Sequence, residues 1–482
     1  MLLLLPILAP VAGGIFVFRQ KKESVRNRLV LALMLVTAGL VCAVCLTPEQ
    51  TVELLTIQGR LHLALRSDLL AKFFLVLITC IWAPITLFAF PYIRHEGRDR
   101  QFFGFYTMTL GILAGLAMAK NFVTLYMFFE MMSLITVPLV LHSGTAASRR
   151  AGFQYLGYSV FGAGMALAGY FFVAYYMATP DFIHGGAIDP VKAAEHRPML
   201  LVVYFLMIVG FGCKAGMMPM QAWLPAAHPV APAPASAVLS GVITKGGVLA
   251  ILRITYYMYG VDFLSGTWPQ YVLLVLALCT VFVGSMLAYR EKLLKRRLAY
   301  STVSQVSYVL FGLFLFTPAG VLGALLQLVF HALAKDVLFL AAGAVIFATN
   351  RTRVDQLRGI GRRMPVTMWC FTLAALSLIG IPPMPGFLSK WYLVTAGLEG
   401  ASRAFGIAGL VVLILSALLT AGYLLPIVTA GFFPGRDFSG ERKEVGKTML
   451  VPMLCFSAAS VLLGLFPGPF MSWLGGLIPK MF

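Results

Sequence analysis

Charge is what this sequence has least of. Among 482 residues only 11% are Asp, Glu, Lys or Arg, against about 25% in an ordinary soluble domain, so a water-soluble globular protein is excluded. Acidic residues are scarcest, 18 against 37 basic ones, which leaves a net charge of +19. In a soluble protein that excess points to nucleic acid. Here Arg19–Arg28, Arg94–Arg100, Arg149 with Arg150, Arg290–Arg297, Arg351–Arg363 and Arg436–Lys447 gather in alternate loops between apolar runs. Such alternation is the orientation signal of a membrane protein, and no nucleic-acid partner is expected. Cysteine is sparse as well: seven residues, all inside apolar runs, with no second pair to complete a four-ligand site beside Cys42 and Cys45. The sequence also has no phosphate-binding glycine loop, dinucleotide fingerprint or Ser-His-Asp order. No metal and no cofactor are expected on the chain, which leaves it without a redox centre and its status as an enzyme open.

What is present is hydrophobic, 60% of the residues. At about 20 residues per span the length accommodates about fourteen membrane helices, and the expected fold class is an all-α integral membrane protein. Residues 1–18 are apolar with no basic residue ahead of them and a basic cluster behind, the reverse of a signal peptide. They read as an uncleaved first helix with its N-terminus outside, and an even number of spans puts the C-terminus outside too.

Nine ionisable residues lie within the apolar runs: Lys72, Glu130, Lys214, Lys245, Arg253, His331, Lys335, Asp336 and Lys390. Each Lys or Asp at the centre of a helix costs about 2.5–3.5 kcal/mol, so these groups need partners and a use. Glu130 falls nine residues into its span, about 14 Å deep. Lys245 is equally central, among small residues that let water or another helix approach. His331 and Lys335 are four apart and share one helix face. Lys72 and Arg253 fall near the ends of their spans and read as interfacial anchors that snorkel outward. Asp336 points about 100° away from Lys335, its role open.

Two spans cannot be regular helices. Lys214 precedes Pro219, Pro225, Pro229, Pro232 and Pro234, and Lys390 follows Gly380-Ile-Pro-Pro-Met-Pro-Gly. Proline removes a donor and clashes with the preceding turn, and the freed carbonyls need protein or water; a hydrated pocket is expected at each break. The breaks fall in the seventh and twelfth spans, the same place in two units of five spans. An odd number of spans between equivalent elements makes the units inverted repeats. The expected organisation is a three-helix segment 1–101, a first repeat 102–259, a second repeat 271–432 and a last helix in 449–482. Glu130, Lys214, Lys245, His331, Lys335 and Lys390 then form a row of proton-accepting sites bridged by water. Energy has to come from partner subunits or another ion's gradient.

The segments Met220-Gln-Ala-Trp-Leu-Pro-Ala-Ala-His228, Ala233-Pro-Ala-Ser-Ala-Val-Leu-Ser-Gly-Val-Ile-Thr-Lys245, His331-Ala-Leu-Ala-Lys335 and Gly380-Ile-Pro-Pro-Met-Pro-Gly-Phe-Leu-Ser-Lys390 resemble the antiporter-like membrane subunits shared by complex I, membrane-bound hydrogenases, formate hydrogenlyase and multisubunit sodium/proton antiporters. The resemblance runs over about residues 60–475. It implies that Glu130 and Lys214 are a coupled ion pair, Lys245 the central relay, His331 and Lys335 the relay of the second half, and Lys390 the gate toward the outside. Asp336 departs from the pattern, since the family commonly has a small residue there, and the chain looks like one of the shorter members. The implied function is proton translocation within a redox-driven respiratory complex, quinone-reducing or hydrogenase-like, in a bacterial or archaeal cytoplasmic membrane; the alternative is a redox-independent antiporter. Expected partners are other membrane and peripheral subunits, the lipid bilayer, and protons or sodium ions.

Overall fold

The computed structural model describes residues 1–57, 61–400, 403–435 and 441–482; Arg436, assigned above to the last basic loop, lies outside the described residues. Helices α1 (Leu5–Arg19) and α2 (Glu23–Leu46) come first. Next is an element absent from the all-α expectation, an antiparallel hairpin of β1 (Thr51–Ile57) and β2 (Leu61–Arg66). Then follow α3 (Leu69–Glu96), α4 (Asp99–Ala117), α5 (Phe122–Val140), α6 (Ala146–Val173), α7 (Arg197–Ala215), the short α8 (Trp223–Val230) and α9 (Ala233–Tyr259). The second half holds α10 (Trp268–Arg290), α11 (Leu294–Phe314), α12 (Pro318–Thr349), α13 (Pro365–Ile379), α14 (Pro385–Glu399), α15 (Arg403–Phe432) and α16 (Lys447–Leu465).

Among the described residues, eleven helices are long and apolar enough to cross a membrane. Helices α4 and α11 and the interrupted pair α13–α14 are consistent with three more crossings, fourteen in all. Helix α11 is less apolar because it turns Lys295, Arg297, Ser301, Thr302, Ser304 and Gln305 inward, all of them buried. The loops sort into two groups as alternation requires: Leu293 pairs with Arg353 in one, Asn121 with Asp181 in the other.

Local chemistry sets the helix limits. Asp68 Oδ1 accepts from Ala71 N at 2.8 Å, Asn121 Oδ1 from Thr124 N at 2.9 Å, and Thr317 Oγ1 from Gly320 N at 3.1 Å, each satisfying a donor that a helix start leaves free. Helices α7 and α13 end at Gly216 (φ +81°) and Gly380 (φ +90°), left-handed positions that glycine takes without a side-chain penalty.

Both breaks therefore occur where the prolines placed them, and protein side chains reach carbonyls at each. At the first, Trp223 Nε1 donates to the Cys213 carbonyl at 2.8 Å. At the second, Lys390 Nζ donates to the carbonyls of Leu378 and Ile379 at 2.8 and 2.7 Å. Side chains of the same protein meet the freed carbonyls, which is the other solution available at membrane depth.

Helix α9 is the axis. Every residue from Ala233 to Tyr259 is buried, as is the stretch His331–Val345 of the neighbouring α12. Arg253 is corrected by this packing: it is 1% exposed, not an anchor at the interface. Its Nη1 and Nη2 meet Asp68 Oδ2 and Oδ1 at 2.6 and 2.9 Å. Lys72 does end at a helix terminus, donating to the Thr47 and Cys45 carbonyls at 2.5 and 3.3 Å. On the same face, Asp181 ties the hairpin to the core through His62 Nε2 at 2.8 Å and Lys120 Nζ at 2.9 Å. Burial raises the Asp181 carboxyl, but these two partners outweigh it and hold it below the usual range. The tie is present at neutral pH and is lost as pH falls through that lowered value.

Candidate functional site

The ionisable residues at membrane depth fall into three groups along the molecule. In the first, Lys214 is 1% exposed, and its Nζ donates to Tyr155 OH at 2.6 Å and to Ser133 Oγ and Ser159 Oγ at 3.0 Å. Tyr155 OH continues to Thr136 Oγ1 at 2.6 Å. Glu130 makes no direct contact with this lysine but lies within its electrostatic reach, so the expected pair is coupled through space and not by a hydrogen bond. Glu130 lies on α5 three residues before Ser133 and meets only Tyr126 OH, at 3.5 Å, among the described residues. Its side chain is half-buried, at the flank of the molecule beside the exposed Met131 and Leu134.

The central group is formed by α9, α11 and α12. Lys245 Nζ meets His331 Nδ1 at 2.9 Å and donates to the Ser240 carbonyl. That carbonyl belongs to a π-helical segment, Leu239–Ile243, where the regular ladder is interrupted and its acceptors are open to a side chain. Lys335 Nζ donates to the Leu298 carbonyl at 2.9 Å and to Ser301 Oγ. The next residue of α11, Thr302, hydrogen-bonds Ser240 Oγ at 2.8 Å, so the two lysines are joined through one hydroxyl-bearing turn.

Two residues of this centre are not singled out by sequence reasoning, although His228 closes one of the motifs quoted for the resemblance. His228 is buried, stacks on Phe339 with centroids 4.6 Å apart, and has no partner for either ring nitrogen among the described residues. Lys245, Lys295 and Lys335 surround it within electrostatic reach. Lys295, 7% exposed, donates to the Ala231 carbonyl beside a cavity of ≈ 440 Å³ lined by Tyr92, Glu96, Pro229 and Lys295 itself. Lysine at the start of a basic loop reads as an orientation charge. Only the packing of α11 against the α8–α9 corner turns it inward.

The third group lies between the centre and Lys390. Gln327, one turn before His331 on α12, donates through Nε2 to Gln305 Oε1 at 2.8 Å and accepts at Oε1 from Ser389 Oγ at 2.7 Å. Ser389 is next to Lys390, whose Nζ lies 5.3 Å from the ring centroid of Tyr308. Spacing held a signal here, since Gln327 is four residues from His331. Replacing Gln327 with Leu keeps the volume and deletes both bonds. We expect a several-fold loss of transport with normal assembly, measured in membrane vesicles, of the size usual for one positioned proton-transfer group or somewhat less.

Six sequence-predicted residues thus resolve into pairs and clusters rather than an unbroken row. Lys245 and His331 touch, and Lys335 joins them through α11. Lys390 lies beyond Gln327 and Ser389, and among the described residues no hydrogen bond joins it to either of them or joins Gln327 to His331. Lys214 sits where α7 and α9 pack closely, since a Cβ on Gly247 would lie 3.0 Å from Lys214 Cβ. Among the described residues no hydrogen bond joins the Lys214 group to Lys245, so a proton path between them would need water or side-chain movement.

Residues 119–419 match the profile of the family described as NADH:quinone oxidoreductase/Mrp antiporter, TM. The chain is 32% identical to NADH-quinone oxidoreductase subunit N of Desulforudis audaxviator over 83% of its length and 81% of that protein's. It is 29% identical to a Na(+)/H(+) antiporter subunit of Alkalihalophilus pseudofirmus, over 97% and 94%, and 31% identical to Hydrogenase-4 component B of Escherichia coli, over 84% and 62%. Its fold is similar to a chain of the Mrp complex from Dietzia sp., with a TM-score of 0.85 at 21% identity, covering 99% of this chain and 97% of that one.

Proposed function

The chain belongs to the NADH:quinone oxidoreductase/Mrp antiporter transmembrane family, and from that premise we propose that it moves protons as one antiporter-like subunit of a redox-driven membrane complex, quinone-reducing or hydrogenase-like. Electron transfer, in this reading, is left to partner subunits, and the present chain carries no cofactor. The relatives are subunits of multisubunit membrane complexes, so the chain is a multi-pass membrane protein with neighbours of the same kind.

The observation that carries the reading is the contact of Lys245 with His331 at 2.9 Å, both fully buried. A lysine donates to a ring nitrogen only when that nitrogen carries no proton, and two adjacent buried bases resist holding a full complement of protons together. The pair is therefore built to share one and pass it on. The cavity at Glu96 and Lys295 supports access to His228 from the face with the basic loops, which we assign to the cytoplasm, with both termini outside. Equivalent placement of the two breaks supports the inverted repeats 102–259 and 271–432. A half-exposed Glu130 supports a neighbouring subunit at that flank, because a carboxylate facing lipid is costly.

A second reading rests on one specific finding: the match to the antiporter subunit of Alkalihalophilus pseudofirmus runs almost end to end. It assigns the chain to a redox-independent cation/proton antiporter. Purification from native membranes separates the two. Co-purifying flavin, iron–sulfur or nickel subunits support redox coupling, whereas small membrane subunits alone support the antiporter. In either complex Glu130→Gln is expected to slow transport about ten-fold or more with assembly unchanged; a wild-type rate removes Glu130 from the pathway.

A further inference from the structure

Asp336 is the one buried carboxylate of the central group, and it takes no part in the contacts of the relay. It is 0% exposed, and neither carboxylate oxygen has a hydrogen-bond partner among the described residues. A buried, bare carboxylate costs several kcal/mol unless a counter-charge or a proton compensates it. Nothing in helix propensity calls for an Asp in the middle of α12, where a small apolar residue would pack without penalty.

The surroundings identify the compensating group. Asp336 lies against Gly241 of α9 so closely that a Cβ on that glycine would overlap Oδ1. Gly241 follows Ser240, whose carbonyl holds the Lys245 ammonium, and consecutive Cα atoms are only about 3.8 Å apart. Carboxylate and ammonium are therefore neighbours across one peptide unit of the π-helical segment, without being bonded in this arrangement. The titratable groups within electrostatic reach are Lys245 from α9 and Tyr106 from α4. On its own helix Lys335 is adjacent in sequence and His331 lies five residues earlier. Tyr106 is already engaged, donating to the Trp82 carbonyl at 3.2 Å. That leaves the Lys245 ammonium as the cation available to Asp336.

We propose that Asp336 is a positioning residue that gives the Lys245 ammonium a second station, so that Lys245 alternates between an ion pair with Asp336 and the proton-donating contact with His331. The inference rests on the proton reading given above. On Asp336 the ammonium is parked: its charge is neutralised and its protons point away from the imidazole. On His331 the Nζ–H bond breaks as the Nδ1–H bond forms, leaving a neutral amine and an imidazolium, and the Nε2 proton then leaves toward the next acceptor. His331 Nε2 has no protein partner among the described residues, so the acceptor of this proton is a water molecule. Asp336 passes no proton to His331; it sets how long Lys245 remains charged and where.

The test uses the intact complex in inverted membrane vesicles, with transport followed across the active pH range. Asp336→Asn is expected to lower the upper pH limit of transport by about one pH unit, the size of effect one nearby opposite charge has on a lysine. Asp336→Glu restores that limit. Asp336→Ala carries the same expectation and decides the matter if the Asn variant does not assemble. An upper limit that stays at the wild-type value, or a fall that Glu does not reverse, overturns the proposal, the second outcome leaving only a packing role. Lys245→Ala in parallel separates the relay from its second station. If it stops transport while Asp336→Asn matches wild type, the Asp336 inference alone fails; if it transports at the wild-type rate, the relay fails and takes this inference with it.

Discussion

Lys245→Ala is expected to reduce ion transport about a hundred-fold or more while the complex still assembles. The side chain occupies the junction of three helices, with His331 as one partner and the Ser240 carbonyl as another. Alanine removes the group that reaches from α9 to His331, and the proton has no path of hydrogen-bond length across the centre. Folding tolerates the change for an electrostatic reason: removal of the buried ammonium relieves the repulsion it exerts on the nearby His331 and Lys335, and Asp336, left without its counter-charge, is neutralised by taking up a proton. Transport assayed in vesicles, with subunit content checked by immunoblot, tests both halves. A silent scaffold predicts the opposite, unchanged transport at unchanged assembly.

Asp68→Asn is expected to have the largest effect on stability. Asparagine is as good an N-cap as aspartate, so the start of α3 keeps its bond to Ala71 N and the substitution isolates the charge. Arg253, 1% exposed, is then left without its anion. Breaking one side of a buried ion pair costs about 3–5 kcal/mol, enough to lower the thermal midpoint of the complex clearly. Pairing the change with Arg253→Met recovers part of the loss, since no unmatched charge remains. Burial raises the Asp68 carboxyl, but Arg253 and Arg66 and the Ala71 N–H together bring it down to about 2. The pair thus contributes its stability above the ordinary carboxylate range and loses it only as pH falls toward 2. Its strength is constant over the pH range in which transport is measured, which keeps this test separate from that of the relay.

How much of the site was legible depended on whether its signal was local. Lys214, Lys245, Lys335 and Lys390 stood out because an ionisable residue in an apolar run is anomalous wherever its partners are. His331 was found by its four-residue spacing from Lys335. Gln305, Gln327 and Ser389 carry little local signal because neutral polar residues are common in membrane helices, and their meaning comes from meeting across three helices. His228 and Lys295 are hidden for a related reason: beside prolines and in a basic loop, each has an adequate local explanation. Arg253 failed the other way, since its partner is 185 residues away and no window of sequence contains both.

Composition, apolar run length and loop charge determined that this chain is a helical membrane protein, about how many times it crosses, and that two of its helices are broken beside a lysine. Those properties are sums over neighbours along the chain, and in a bilayer the absence of water leaves the backbone almost no alternative to helices. Tertiary structure alone decided that Lys245 touches His331, that Glu130 stands apart from Lys214, and that Asp336 lies bare against Gly241. Each of these depends on the rotation and depth of one helix relative to another. A displacement of about 1.5 Å, one residue of rise, turns a side chain by about 100° and is set by packing between segments far apart in sequence.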